Sequence, residues 1–107
     1  MHPAVVHRIF TNDELTPAAW ARERPAEEYY VTNPAIQRLD DGWAMAYKVV
    51  SALYQSERFA ICRLDDALNV VPGSIVALSD TIPNITTQVG DPRLIVYAGR
   101  LWALYCH

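Results

Sequence analysis

Two segments of this chain resemble each other, and the repeat restricts the possible folds more than any other feature of the sequence. Asn33-Pro34-Ala35-Ile36 aligns with Asp91-Pro92-Arg93-Leu94 at an offset of 58 residues (92 − 34), and the same offset places Tyr47 on Tyr105. Each copy continues with a strand, a turn that contains glycine and an aromatic-rich strand, Gly42-Trp43-Ala44-Met45-Ala46-Tyr47 and Gly99-Arg100-Leu101-Trp102-Ala103-Leu104-Tyr105. Units that recur at about 40–60 residues are typical of β-propeller blades.

From Tyr29 onward, β-forming segments alternate with turn residues. The first unit runs from Asn33 to about Ser79 and holds four strands; Asp40-Asp41-Gly42 is predicted as a hairpin turn, as is the polar stretch Gln55-Ser56-Glu57-Arg58. The second unit begins at Asp91 and holds two strands. We therefore predict a mainly β fold, an antiparallel meander that forms a partial β-propeller with one four-stranded blade and half of a second.

A propeller closes with about 4–8 blades. The blade interpretation therefore also predicts that the chain is part of a larger protein or completes a sheet with another chain. A small β-sandwich whose two hairpins are alike by chance is the alternative fold.

The segment 11–24 predicts a short N-terminal helix. Thr16 suits the N-cap, Pro17 suits the first helical position, and Pro25 would end the helix. A turn capped by Asn12-Asp13-Glu14 is the alternative start. The length of 107 residues fits a single domain, which we divide into a helical segment at 1–28, a first blade at 29–80 and the start of a second blade at 91–107.

Charge and composition exclude several classes of function. Nine Lys and Arg residues against twelve Asp and Glu residues give a net charge of -3, which favours neither nucleic acid nor an anionic membrane as a partner. No apolar run approaches the ~18–20 residues of a membrane span, and the first residues lack the pattern of a secretory signal. Cys62 and Cys106 form no C-x-x-C pair, and the histidines have no metal-ligand spacing. We expect a cytoplasmic protein without a metal or other cofactor.

The same segments resemble the five-bladed β-propeller glycosidases, most closely the β-mannoside phosphorylases and their relatives. The resemblance covers Thr32 to Tyr105, about a blade and a half, and depends on short motifs: Asn33-Pro34-Ala35-Ile36, Asp41-Gly42-Trp43, Ala46-Tyr47, Gly90-Asp91-Pro92-Arg93-Leu94 and the second aromatic strand. In that family an Asn-Pro-x-hydrophobic strand opens one blade and a Glu-Asp-Pro-Arg segment opens the next. This chain departs from the pattern at Gly90, where the family usually has Glu, and lacks the later blades with their further carboxylates.

The resemblance implies carbohydrate chemistry in the central funnel of a propeller. It assigns to Asp91 the role of the catalytic acid or of a sugar-binding carboxylate. It assigns Arg93 to contact with substrate or with an anion such as inorganic phosphate, and it places Asn33 at the polar inner end of the first blade.

The residues themselves offer one plausible catalytic carboxylate. Glycoside cleavage uses two carboxylates about 5–9.5 Å apart, whereas most acidic residues here fit turns or a solvated face. Asp91 differs because it precedes Pro92 at the start of an apolar strand, although a surface pair with Arg93 is an alternative role. Tyr30 precedes the first repeated unit, which begins at Asn33, and is placed to line the entrance of a site, so it is a candidate substrate-binding residue.

Two hypotheses of function follow. The first is a fragment or short homologue of a carbohydrate-active propeller, a glycoside hydrolase or phosphorylase acting on β-linked sugars, which is inactive unless further blades or oligomerisation complete it. The second is a non-enzymatic β domain that binds a sugar or a partner chain through an exposed sheet edge such as Leu101–Cys106. In both, we expect association with a second copy or another chain.

Overall fold

Two antiparallel sheets and two one-turn helices make up the fold. The computed structural model describes residues 4–23, 29–51, 56–82 and 89–106. The elements in chain order are α1 (Asn12–Leu15), α2 (Ala18–Ala21), β1 (Tyr29–Arg38), β2 (Trp43–Ser51), β3 (Ser56–Leu64), a 3₁₀ helix (Leu78–Thr81), β4 (Arg93–Tyr97) and β5 (Arg100–Leu104). Strands β1, β2 and β3 form one sheet in that order, and β4 and β5 form a separate hairpin. The prediction of a mainly β, antiparallel fold is confirmed.

The central strand β2 is covered on both faces. Its odd-numbered side chains, including Tyr47 and Val49, pack with β3 residues and with Leu15 and Trp20 from the helices; we call this the core face. Its even-numbered side chains point to the opposite face, which we call the hairpin face because β4 and β5 pack there: the Phe59 ring lies 5.1 Å from the Tyr105 ring. Cover on both faces explains why β2 is a nearly continuous apolar run rather than an alternating one.

The helix predicted from Thr16 and Pro17 is present as α2, but it begins one residue later than expected, because Pro17 is its N-cap. An earlier helix, α1, is capped by Thr11, whose hydroxyl forms a reciprocal capping box with the Glu14 carboxylate. Thr16 has extended backbone angles because it precedes Pro17, so the helix stops there and α2 begins afterwards. The earlier turn at Asn12-Asp13-Glu14 is therefore present in addition to the later helix, with Thr11 as its cap, and the expected end at Pro25 lies outside the described residues.

Hydrogen bonds from two aromatic side chains help to attach the helical segment to the rest of the chain. The Tyr47 hydroxyl donates to the Leu15 carbonyl oxygen at 2.6 Å, and burial raises the pKa of this tyrosine far above its ordinary value. The Trp20 indole, fully buried, donates to the Asp80 carboxylate at 2.8 Å. Both donors are satisfied on removal from water, as buried polar groups of aromatic side chains require.

The third strand begins earlier than its sequence suggested. Ser56, Glu57 and Arg58 were expected in a turn, but they belong to β3 because they pair with Ser51, Val50 and Val49 of β2. The predicted fourth strand is interrupted: within the described residues it pairs with β3 through two isolated bridges, Val70 to Leu64 and Val76 to Ile61.

The two cysteines occupy different surroundings. Cys62 is buried in the core, and burial raises the pKa of its thiol to about 11, whereas Cys106 is exposed. Both are free thiols. Cys62 therefore behaves as a small apolar core residue.

We expect the stability of the fold to depend strongly on glycine at position 42, in the β1–β2 turn. Gly42 has φ +75°, and a Cβ there would lie 2.2 Å from the Leu64 carbonyl oxygen. Gly73 has the same φ but no atom within 4 Å of its Cβ position. We expect Gly73→Ala to lower the free energy of unfolding by about 1 kcal/mol, and Gly42→Ala to lower it by about 3 kcal/mol or more.

Urea unfolding of both variants, compared at equal m-values, measures this difference. Gly73→Ala is the matched control, because it carries the same backbone strain without the steric contact. Equal losses in the two variants would show that the close approach to Leu64 does not matter.

Candidate functional site

The candidate site begins at a bulge in β1. The register with β2 shifts between Thr32 and Ala35, and Asn33 within the bulge has φ +52°. Bulges redirect side chains and are frequent beside functional sites. The Asn33 side-chain amide donates to Asp91 Oδ1 at 2.8 Å, and the Thr32 hydroxyl donates to Asn33 Oδ1 at 3.2 Å. The two residues that the repeat places in equivalent positions are thus hydrogen-bonded to each other.

A buried lysine lies beneath this pair. Lys48 belongs to the hairpin face of β2, and its side chain is only 9% exposed. Its Nζ lies 3.2 Å from Glu57 Oε1 and 3.4 Å from Asp91 Oδ1. An unpaired ammonium in such surroundings would be strongly disfavoured, so the two carboxylates are what permit its burial.

Asp91 is held as an ionised carboxylate. The Asn33 amide lowers the pKa of this carboxyl below its ordinary value of 3.8, and Lys48 and Arg93 lower it further, while partial desolvation acts in the opposite direction. Its side chain is 51% exposed, and within the described parts of the chain Oδ2 accepts no hydrogen bond. A carboxylate of this kind accepts hydrogen bonds at neutral pH. A general acid needs the opposite shift, toward the working pH.

The nearest second carboxylate does not form a catalytic pair with Asp91. Glu57 Oε1 and Asp91 Oδ1 lie 3.2 Å and 3.4 Å from the same Lys48 nitrogen, so the distance between these two oxygens cannot exceed the sum of the two contacts. Such a distance falls within the range of carboxylate separations found in glycosidases. However, the ammonium group stands between the two carboxylates, where the scissile bond would have to lie.

The other two expected site residues, Arg93 and Tyr30, are both exposed. Arg93 is exposed, and its charge helps to lower the pKa of Asp91. Tyr30 lies on the hairpin face of β1, two positions before Thr32, and is 46% exposed. No hydrogen bond joins Tyr30 to the cluster in the segments that the structure describes.

Sequence reasoning missed Lys48 and Glu57. A signal for Lys48 was present, because it is the one charged residue in the apolar run from Trp43 to Val50. Glu57 had no such signal, since its place depends on the pairing of β3 with β2 across the sheet.

Two cavities lie away from Asp91. One, of about 550 Å³, is a mostly apolar groove between the N-terminal residues and the core face, with Phe10, Ile36 and Met45 in its lining. The other, of about 450 Å³, lies between the β1–β2 turn and the tip of the β4–β5 hairpin. Neither is lined by Asp91, whose side chain is 51% exposed.

The described residues contain neither a group of metal ligands nor a membrane-spanning helix. Within ranges 4–23, 29–51, 56–82 and 89–106, no three His, Cys, Asp or Glu side chains are grouped to hold a metal ion. In the same ranges no helix has the length and apolar character needed to cross a bilayer.

Comparison with known proteins yields no relative from which a role could be inferred. No protein-family model, curated protein or solved structure matches this chain. The site is therefore interpreted from its own geometry.

The cluster predicts that removing either partner raises the pKa of Asp91. Asn33→Gly removes the amide but keeps a residue that tolerates positive φ, so the pKa should rise toward the ordinary value, and Lys48→Met should raise it as well. A lowered pKa means that ionised Asp91 stabilises the fold fully above pH 3.8, and that this contribution is lost as the pH falls through the folded-state pKa.

Carboxyl chemical shifts followed by NMR during an acid titration measure the pKa directly. Gln37→Ala is the control, because the Gln37 side-chain amide is also in β1 but donates to the neighbouring Arg38 carbonyl oxygen. An unchanged Asp91 pKa in Asn33→Gly would show that the hydrogen bond is not formed in solution.

Proposed function

We propose that this chain contributes a sugar-binding site to a carbohydrate-active protein of the β-propeller type, with Asp91 as a binding carboxylate rather than a catalytic acid. The observation that supports it most directly is the hydrogen bond between Asn33 and Asp91. These are the first residues of two repeated units, and equivalent residues of neighbouring blades converge in this way when blades surround a common axis.

The arrangement of the sheets is consistent with this architecture. The three strands and the bridged fourth segment together form a unit the size of one blade. The β4–β5 hairpin packs across the hairpin face of this unit, where the next blade would begin. Ala44 and Ala46 of β2 lie on that face and are buried. Their small side chains leave room for the close approach of the hairpin.

The chemistry of the cluster favours neutral sugars as ligands. An ionised carboxylate with an open oxygen accepts charge-assisted hydrogen bonds from hydroxyl groups. Arg93 and the Asn33 amide place hydrogen-bond donors beside this carboxylate. Inorganic phosphate is the less favoured ligand, because Asp91 would repel it and Lys48 already contacts two carboxylates.

Catalysis requires more than the described residues provide. Cleavage of a β-linked sugar, by water or by phosphate, needs a second carboxylate on the far side of the glycosidic bond. Under this proposal further blades or another chain supply it, and the isolated chain binds sugar without cleaving it. The cytoplasm is the proposed place of action, because the two cysteines form no disulfide framework.

Titration of the labelled chain with methyl β-mannoside tests the proposal. We expect amide shifts around Thr32, Asn33 and Asp91 with a dissociation constant in the millimolar range, and a loss of affinity of about tenfold or more in Asp91→Asn. Asp66→Asn is the matched control, since Asp66 is an exposed aspartate whose partner is the surface residue Arg38. It should leave binding unchanged.

Two outcomes would contradict sugar binding at this site. One is an absence of shifts at saturating sugar in a chain whose spectrum shows a folded protein. The other is the same set of shifts in Asp91→Asn as in the parent chain. A parallel titration with inorganic phosphate distinguishes an anion site from a sugar site.

A further inference from the structure

The groove between the N-terminal residues and the core face has the size of a small-molecule site. Its volume of about 550 Å³ lies within the range of about 300–1,000 Å³ that such sites occupy. Three large apolar side chains in its lining are half or more exposed: Val5 at 69%, Val6 at 75% and Ile36 at 52%. Exposed apolar groups that stand together in a groove often mark the place where a ligand binds.

The floor of the groove belongs to the core of the protein. Met45, Tyr47 and Leu64 line it, and all three are buried. The Tyr47 hydroxyl donates to the Leu15 carbonyl oxygen, which fixes the direction of the ring. Because close-packed core residues form this side, the site exists before a ligand arrives, and binding orders few further side chains.

The opposite wall is held in place by its own contacts. Asn12 Oδ1 accepts a hydrogen bond from the Val31 amide at 2.9 Å, which joins the start of α1 to β1. The Arg8 guanidinium forms an ion pair with Glu14 and lies 4.4 Å from the centre of the Phe10 ring. These contacts position the N-terminal residues over the groove without filling it.

Most polar groups in the lining already have partners within the protein. The Tyr47 hydroxyl, the Asn12 side-chain oxygen and the Thr32 hydroxyl each form a hydrogen bond with another residue. The Arg8 charge is balanced by Glu14, and no carboxylate lines the groove among the described residues. A charged occupant would therefore lose its hydration without gaining a free partner of opposite charge, which is costly. The lining is complementary to an uncharged molecule.

We propose that this groove binds an uncharged, largely apolar small molecule, aromatic or branched aliphatic, of about 15–20 non-hydrogen atoms. Its binding removes the surfaces of Val5, Val6 and Ile36 from water, and this burial is the main driving force. His7 also lines the groove and is exposed, so it has no need of a partner from the ligand.

The proposal does not depend on sugar binding. Neither Asn33 nor Asp91 lines the groove. A sugar titration and a titration with an apolar dye therefore test different surfaces of the chain, and either can fail while the other succeeds.

Fluorescence of phenylnaphthylamine, an uncharged apolar dye, tests the groove. The full chain should bind one equivalent with a dissociation constant of about 10 μM, and the emission should rise as the dye leaves water. Anilinonaphthalene sulfonate is the matched probe, because it combines the same rings with a negative charge. It should bind about tenfold more weakly or less well still. Equal or tighter binding of the sulfonate would contradict an uncharged ligand.

Two matched substitutions locate the dye. Ile36→Glu should weaken binding about tenfold or more, because it places a carboxylate in the apolar lining. Ile95→Glu is the control, since Ile95 is a strand isoleucine of similar exposure, 46%, that does not line the groove. It should leave binding unchanged. Equal affinities of the two variants would show that the dye binds elsewhere.

Methyl NMR of the parent chain provides a measurement that does not require a variant to fold. The dye should shift the methyl signals of Val5, Val6 and Met45, and unchanged signals at saturating dye would overturn the proposal. Light scattering of the same samples examines a second copy as the occupant. A dimer that takes up no dye would show that another chain fills the groove, and would equally overturn the proposal.

Discussion

The fold depends on the burial of β2 from both sides. Its core face packs on the helical segment and its hairpin face packs on residues that follow in sequence by more than forty positions, as the Lys48–Asp91 contact shows. Since apolar burial is the main favourable contribution to folding, neither the helices nor the hairpin would have a stable place without this strand. Tyr47 and Lys48, which are neighbours in β2, anchor these opposite sides.

The electrostatics of the site follow from the same burial. A lysine within an apolar strand is tolerated only if carboxylates surround its ammonium group, and Glu57 and Asp91 provide them. In return the lysine and the Asn33 amide keep the pKa of Asp91 low. The chemistry open to Asp91 is thus decided by two partners, neither of which is adjacent to it in sequence.

Local rules predicted most of the strands and failed where the outcome depended on distant partners. The turn at Gly42 and the alignment of Asn33 with Asp91 were visible in the sequence, because the first depends on a residue type and the second on a repeat. Glu57 was expected in a turn, since its polar neighbours conceal the pairing of β3 with β2.

The start of α2 was also predicted from local signals. It differs from the structure by one residue, because Pro17 rather than Thr16 is the N-cap. Lys48 was likewise visible as a lone charge in an apolar strand, but its consequence for Asp91 required knowing which segment covers the hairpin face.

Gly90 connects the departure from the glycosidase pattern to the geometry of the hairpin. A Cβ at this position would lie 3.1 Å from the Cys106 Cβ and 3.3 Å from its carbonyl oxygen. The absence of a side chain lets the Gly90 amide reach that carbonyl and close the open end of the β4–β5 hairpin. A glutamate there would press on Cys106 and move β5. The hairpin is therefore closed at the position where the glycosidase pattern expects a carboxylate, and under the proposed function this favours holding a sugar over cleaving it.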